Sequence, residues 1–411
     1  MKPTHFLTCL LTTLSVSVFA GEEVCKKETP AQSKKCAPVQ SPCCTPDKPQ
    51  ECMGGAEILK CCGPAYNAPA AIDVNHKKWG SCPLEFSGFA DLSFTYWFAG
   101  EEGLATAETG VNSAGTLYYP QNISTLFPES NYKPGFKVGL GATIDREAVV
   151  RLDYTWFRGK NTADSSAVGG PISTAGTASA LTGTKVWVIN DWFLQGTSAG
   201  QALSASQVSS SWKLALDVID AVASRPMYLA RSLSVNPFAG LRSAFIRQSM
   251  HVQMTEAASL FSTSTPTHPI DSYNHSNSWS IGPRAGVDAA YLLPYGLRFE
   301  GSLAGSLLYT RYKVRHSESP ASTAFNNASL KASYSGYSAL RPGAELGLGV
   351  GWGMYLCNKD YHIDFSADYD FMIFWAQNMM RKLLDDTLTG TGPSSSELYL
   401  HGLTIATRFD F

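Results

Sequence analysis

The sequence predicts an all-β chain: a transmembrane, antiparallel, up-and-down β-barrel of about ten strands, preceded by a Cys-rich segment. Three observations predict it. The run Tyr361–Met372 places apolar Tyr361, Ile363, Phe365, Ala367, Tyr369 and Phe371 at every second position and His362, Asp364, Ser366, Asp368 and Asp370 between them. A helix repeats every 3.6 residues and would scatter both sets around its axis, whereas a strand keeps each set on one face. The connections between such runs alternate between short turns and long polar loops, as in outer-membrane barrels. Charged residues are 16% of the 411, against about a quarter in soluble domains, and aromatic residues and glycine are plentiful.

Taken in order, Lys2 and His5 precede an apolar stretch from Phe6 to Ala20, and Val18-Phe19-Ala20 followed by Gly21 reads as a signal-peptidase site. Residues 1–20 are therefore expected to be a signal peptide, with Cys9 discarded in it. No later segment reaches the eighteen apolar residues of a membrane helix. Residues 21–82 carry Cys25, Cys36, Cys43, Cys44, Cys52, Cys61, Cys62 and Cys82 among Pro, Lys, Gln and Ala, with few large apolar residues. In an oxidising compartment such a segment is better held by disulfides than by a core. The adjacent pairs Cys43-Cys44 and Cys61-Cys62 lack the C-x-x-C spacing of a zinc site. With Cys357 the mature chain holds an odd number of thiols, which leaves at least one free or bridged to another chain.

From residue 83 onward the two-residue alternation recurs. Leu84 to Phe98 sets Leu92, Phe94 and Tyr96 against Asp91, Ser93 and Thr95, and Phe136–Ile144 and Ala148–Phe157 form a hairpin across Asp145-Arg146-Glu147. Trp212, Leu214, Leu216 and Val218 oppose Lys213, Ala215 and Asp217; Leu233 to Phe245 follows with Arg242 on its wet side. Trp279 to Tyr291 and Leu297 to Tyr309 flank the turn Leu293-Pro294-Tyr295-Gly296, and Leu340 to Trp352, Tyr361–Met372 and Glu397 to Phe411 complete the set. Connections run long (100–132), short (145–147), long (159–210), short (223–232), long (249–278), short (293–296), long (313–337), short (357–360) and long (375–396). A soluble β-sandwich also alternates, but nothing in it requires this rhythm. Tyr96, Trp97, Trp156, Tyr291, Trp352, Tyr355, Phe374 and Trp375 suit interfacial aromatic girdles. Pro237, Pro283 and Pro342 fall inside strands and are expected to mark bulges or strand ends. A further hairpin around Thr184 to Leu194 would raise the count to twelve.

The terminal "LYLHGLTIATRFDF", with Tyr399, Leu403, Ile405, Phe409 and Phe411 in alternation, resembles the strand signal read by the outer-membrane barrel-assembly machinery. "PGFKVGLG", "LDYTWFRGK", "WKLALDVID", "VNPFAGLRSAFI", "WSIGPRAGVDAAYLLPYGLRFEGSLAGSLLYTRYKV" and "LRPGAELGLGVGW" are similar, in order, to stretches of the pore-forming major outer membrane proteins of Legionella and the MOMP-like proteins of chlamydia-like bacteria. The resemblance covers most of residues 84–411 and implies a porin in the outer membrane. The Cys-rich segment, more by composition than by motif, looks like the cross-linking habit of chlamydial envelopes.

In such a barrel the wet face lines a lumen, and its charges mix both signs: Arg151 with Asp153, Arg284 with Asp288, Arg298 with Glu300, Arg341 with Glu345, and Asp364 and Asp368 with Asp370. Two outcomes are open. The charges line a water-filled channel and set ion preference, or they pair across strands and close the lumen. Ten strands leave little width, and wet-face glycines (139, 141, 282, 286, 343, 347, 349) are expected to recover some. His268, Asp271 and His275 form a spaced trio in one loop, but no strained nucleophile elbow, phosphate loop or haem motif accompanies it. The expectation is a non-enzymatic porin that needs no cofactor or metal. Its expected partners are outer-membrane lipid, the assembly machinery, envelope proteins bridged through the cysteines and further copies of itself. A net charge of −2 speaks against nucleic acid. The runner-up is a closed structural or adhesive barrel.

Overall fold

The computed structural model describes residues 87–113, 116–118, 124–144, 148–165, 184–189, 192–194, 203–205, 207–230, 232–255, 258–259, 269–319, 329–356, 361–388 and 396–411. The expected signal peptide, the Cys-rich segment, Cys357 and His268 lie outside them.

Ten long strands form the wall: β1 (Ser87–Glu101), β2 (Lys133–Ile144), β3 (Ala148–Asp164), β4 (Gln207–Ser224), β5 (Leu233–Thr255), β6 (Ile270–Leu292), β7 (Leu297–Glu318), β8 (Lys331–Leu356), β9 (Tyr361–Phe374) and β10 (Leu398–Asp410). Each pairs antiparallel with its sequence neighbours, and closure comes from β10 against β1, with Phe94 opposite Ile405. The strands run from 12 to 26 residues, and about ten suffice to cross the hydrocarbon at a tilt. A closed wall leaves no backbone group unpaired toward lipid. One rim carries both ends of the described chain and the short turns, including a hairpin in which Tyr295 (φ 65°) and Gly296 (φ 80°) supply the left-handed pair that a tight turn between twisted strands demands. The opposite rim carries the long loops. These are called the turn end and the loop end.

Outward positions form an exposed apolar belt that includes Leu92, Leu140, Leu152, Leu303, Leu348, Val350 and Ile405. This is the alternation of the sequence realised as a lipid-facing surface. The three prolines also face outward, and none introduces a bulge. Pro237 and Pro342 stand where one of their two ladders stops, and β6–β7 pairing lapses at Pro283 and then resumes in the same register. Thr184–Ile189 does not enter the wall. It pairs with Ala107–Ser113 and Leu203–Ala205 in a small loop-end sheet, so the barrel has ten strands rather than twelve.

Two readings are reversed by the structure. Trp212, Leu214, Leu216 and Val218 point into the barrel and are essentially inaccessible, while Lys213 faces out. Trp97 and Phe374, expected in the girdles, also point inward and are buried. The reason is common to all six. The loop half of the lumen is filled by an apolar core, so inward positions there can be as apolar as a lipid-facing row. Helix α1 (Met379–Leu388) buries Met379, Met380, Leu383 and Leu384 in that core, and Trp192 and Phe193 enter it as well.

Candidate functional site: the barrel lumen

The lumen divides along the strand axis. In the loop half, Trp97, Phe157, Trp212, Ile246, Met250, Tyr312 and Leu400 pack around α1 and the Trp192-Phe193 segment as one cluster. Polar contacts anchor the inserted pieces. Trp192 donates its indole N–H to the Ala105 carbonyl at 2.7 Å, the Ser272 hydroxyl donates to the Trp192 carbonyl at 2.5 Å, and the Leu194 amide donates to Glu318. His316 sits between Asn274 and Glu318, each at 2.8 Å, and Tyr334 donates to Asp386 of α1. Buried donors and acceptors so matched fix a single arrangement of the inserted segments.

In the turn half charged side chains dominate the inward face, with Phe89, Val149, Val222 and Phe238 packed among them. Lys137, Arg151, Arg242, Arg284, Arg298 and Arg408 face a larger set of carboxylates: Asp91, Asp153, Asp220, Asp288, Glu300, Glu345, Asp364, Asp368, Asp370 and Asp410. Arg242, 3% exposed, donates to both oxygens of Asp220 at 2.7 and 2.6 Å and also to Glu345. Glu345 accepts a second bond from Arg284 at 2.6 Å. Because neither β5 nor β6 neighbours β8, the two bonds to Glu345 cross the lumen, whereas Arg242 and Asp220 stand directly opposite on adjacent strands. Arg298 likewise reaches from β7 to Asp364 of β9 at 2.7 Å and holds Glu300 at 2.8 Å. Arg151 bridges Asp153 at 2.6 Å and Asp91 at 3.1 Å, and Lys137 donates to Asp370 at 2.8 Å. Between these contacts lie adjoining cavities of about 220 and 350 Å³, where the charged side chains share the lining with apolar residues such as Phe89, Val222 and Phe238 and with small polar ones such as Ser234 and Ser302.

All of Arg151, Asp153, Arg284, Asp288, Arg298, Glu300, Arg341, Glu345, Asp364 and Asp368 face the lumen, but their partners are not always those adjacent in sequence. Arg284 turns to Glu345, leaving Asp288 to accept a long 3.5 Å bond from Asn236. Arg341 belongs to the loop half. It lies over the Tyr312 ring, donates to its hydroxyl at 3.2 Å and reaches Met379 of α1. Asp368 accepts from Ser366 at 2.7 Å. Sequence reasoning misses Asp220, which shares a face with Trp212–Val218, because that face reads as lipid-facing. The parity of Asp91, Lys137, Arg242 and Arg408 is legible, though their pairing is not.

The inward glycines do not widen the lumen as expected. A methyl group on Gly139 would collide with Asp91 and Asp153, one on Gly141 with the Phe89 ring, and one on Gly351 with the Arg298 guanidinium. Their missing side chains make room for long neighbours that lie flat across them. On the outer wall Asp271 accepts from His251 at 2.8 Å and from Gln253 at 2.9 Å, while His275 stands apart beside Arg315. Tyr399, Leu403, Ile405 and Phe409 share the outward face of β10, with Phe411 just beyond its end.

Among solved structures, the fold is similar to that of the outer membrane protease OmpT from Escherichia coli (8% identity, TM-score 0.32, covering 80% of this chain and 98% of that one). It is also similar to a major outer membrane protein from Thermus thermophilus (12%, 0.27, 79% and 99%) and to the outer membrane channel DcaP of Acinetobacter baumannii (8%, 0.17, 80% and 97%). No curated protein matches the chain. The family described as Legionella pneumophila major outer membrane protein precursor matches residues 92–411. The chain belongs to that family and is a β-barrel of the bacterial outer membrane.

Proposed function

We propose that the protein is a narrow, cation-preferring outer-membrane channel for ions and small solutes, closed at rest by the apolar plug of its loop half. The observation that carries this is the acid-rich, cavity-containing turn half of the lumen. A barrel serving only as a structural post gains nothing from burying so many charges, since a buried ion pair rarely outperforms a hydrophobic substitute in stability. Excess carboxylate in a confined lumen raises local cation concentration and opposes anions. In this orientation the turn end faces the periplasm and the loops face outside, and passage requires α1 and the Trp192-Phe193 segment to shift. No catalytic residue is needed.

Reversal potentials across planar bilayers under a salt gradient test the reading. Wild type should pass cations preferentially, and Asp364→Asn with Asp368→Asn should reduce that preference while leaving the barrel folded. Steps with no ion preference would refute it. The packed loop half favours a second reading, a permanently closed structural or adhesive barrel, for which every variant would fold and stay silent.

The cysteines of residues 21–82 and Cys357 cross-link the protein to envelope partners or to further copies of itself on the periplasmic side; their number and the position of Cys357 in a short connection support this. Non-reducing gels of wild type and Cys357→Ser should differ in their ladders, and identical ladders would remove Cys357 from the scheme. The outward row ending in Phe411 serves as the assembly signal, and Phe411→Ser should slow insertion without altering the folded barrel.

A further inference from the structure

The outer wall is not uniform around the barrel. At the loop-end margin of β1, β9 and β10 it is aromatic, with Tyr96, Phe98, Tyr369, Tyr399 and His401 in mutual contact around Tyr132. On β3 to β7 the same margin is cationic. Arg158 and Lys160 come from β3, Lys213 from β4, Arg247 from β5, and Arg311, Lys313 and Arg315 from β7. The register aligns them. Arg158, Ala215, Arg247, Asn277 and Lys313 form one lateral row across five strands, and Lys160, Lys213, Ser249, His275 and Arg315 form the next row toward the loops. Strands are about 4.8 Å apart, so Arg158, Arg247 and Lys313 recur at about 10 Å. The row just below, toward the belt, carries Trp156, Asp217, Phe245, Trp279 and Arg311.

Asp217 is the acid within these rows. It is shared by Arg158 at 2.8 Å, Arg247 at 3.0 Å and the Tyr154 hydroxyl at 2.8 Å, which fixes both guanidinium groups in place and leaves their charge in excess. Among the described residues Arg311, Lys313 and Arg315 make no ion pair. A surface groove of about 580 Å³ runs through the patch, with Ile219, Phe245 and Trp279 toward the belt, Arg247 and Lys313 one row nearer the loops, and Arg311 level with Trp279 on the neighbouring strand.

An amphipathic groove at the edge of a lipid-facing belt, greasy below and cationic above, matches one occupant. We propose that this face holds an outer-leaflet membrane lipid whose headgroup carries phosphates, its acyl chain along Phe245 and Trp279 and its phosphates on Arg247, Arg311 and Lys313. Guanidinium groups grip phosphate through paired charge-assisted hydrogen bonds, and aromatic rings are at home at headgroup depth. The inference uses the sidedness given above but is independent of conduction.

The test is binding of bisphosphorylated lipid A to the full chain folded in zwitterionic detergent, with folding confirmed by heat-modifiable migration. Wild type should bind lipid A at least tenfold more tightly than its dephosphorylated form, and less tightly as salt rises. Arg311→Glu with Lys313→Glu should abolish that preference, whereas Arg311→Lys with Lys313→Arg should retain it; if the reversed pair does not fold, Lys313→Gln supplies the same comparison. Equal binding of both lipid forms, or unchanged binding by the folded reversed variant, would overturn the proposal. Displacement of bound lipid A by millimolar inorganic phosphate would also overturn it, by showing a free-phosphate site without use of the groove.

Discussion

In the loop half of the barrel, Trp212 of β4 and Tyr312 of β7 are fully buried against a plug, whereas farther along the same strands Asp220 and Arg298 face polar cavities. One wall therefore encloses two interiors. The loop half resembles a soluble protein core, held by packing and a few matched polar groups, and the turn half is held by charges that satisfy one another across open space. In the channel proposed above, the difference would put closure in the loop half and selectivity in the turn half. Dense apolar packing excludes water, and a charged lumen admits it.

Substitutions should separate the two interiors by size of effect. Trp212→Ala should be the most damaging, costing about 3–5 kcal/mol as a large cavity opens in the plug contact, read as a lower urea midpoint for the folded barrel in vesicles. Arg242→Met follows at about 3 kcal/mol, because it removes both bonds to buried Asp220 and leaves Glu345 with Arg284 alone. Adding Asp220→Asn should recover much of that loss, and failure to recover would mean that Arg242 acts by packing alone. Gly141→Ala should cost about 1–3 kcal/mol by overpacking against Phe89. Lys137→Met, which breaks a partly solvated pair with Asp370, should stay under about 1 kcal/mol. A reversed order for Trp212 and Lys137 would erase the distinction between a packed and a wet half.

The wall is legible in the sequence because lipid and water impose opposite demands on alternate residues, and β1, β2, β6, β7, β8 and β9 follow that rule at their turn ends. Legibility fails where the lumen is apolar. Residues Trp212 to Val218 alternate as cleanly as any lipid-facing run, and a two-residue period reports only that two faces differ, not which one is inside. Asp217 and Asp220, on opposite faces of β4, show the ambiguity. Each is a carboxylate, but one organises arginines on the outer wall and the other holds Arg242 in the lumen. The partners of Glu345 are out of reach for another reason, since contacts across a barrel depend on its closure and not on neighbouring positions. The plug itself leaves the weakest trace. Met379–Leu388 sits within a long loop, and its apolar stripe acquires meaning only once it is seen entering the barrel.

The central claim is that the apolar loop half closes a conductive, charged turn half. Single-channel recordings of refolded wild type and Leu384→Asp test it most directly, because Leu384 is fully buried on α1 against the lumen wall and belongs to the apolar cluster rather than to the turn-half charges. Wild type should show rare, brief openings, and Leu384→Asp should show sustained cation-selective steps. A wild type that is steadily open, or a folded Leu384→Asp barrel that stays silent, would contradict the claim.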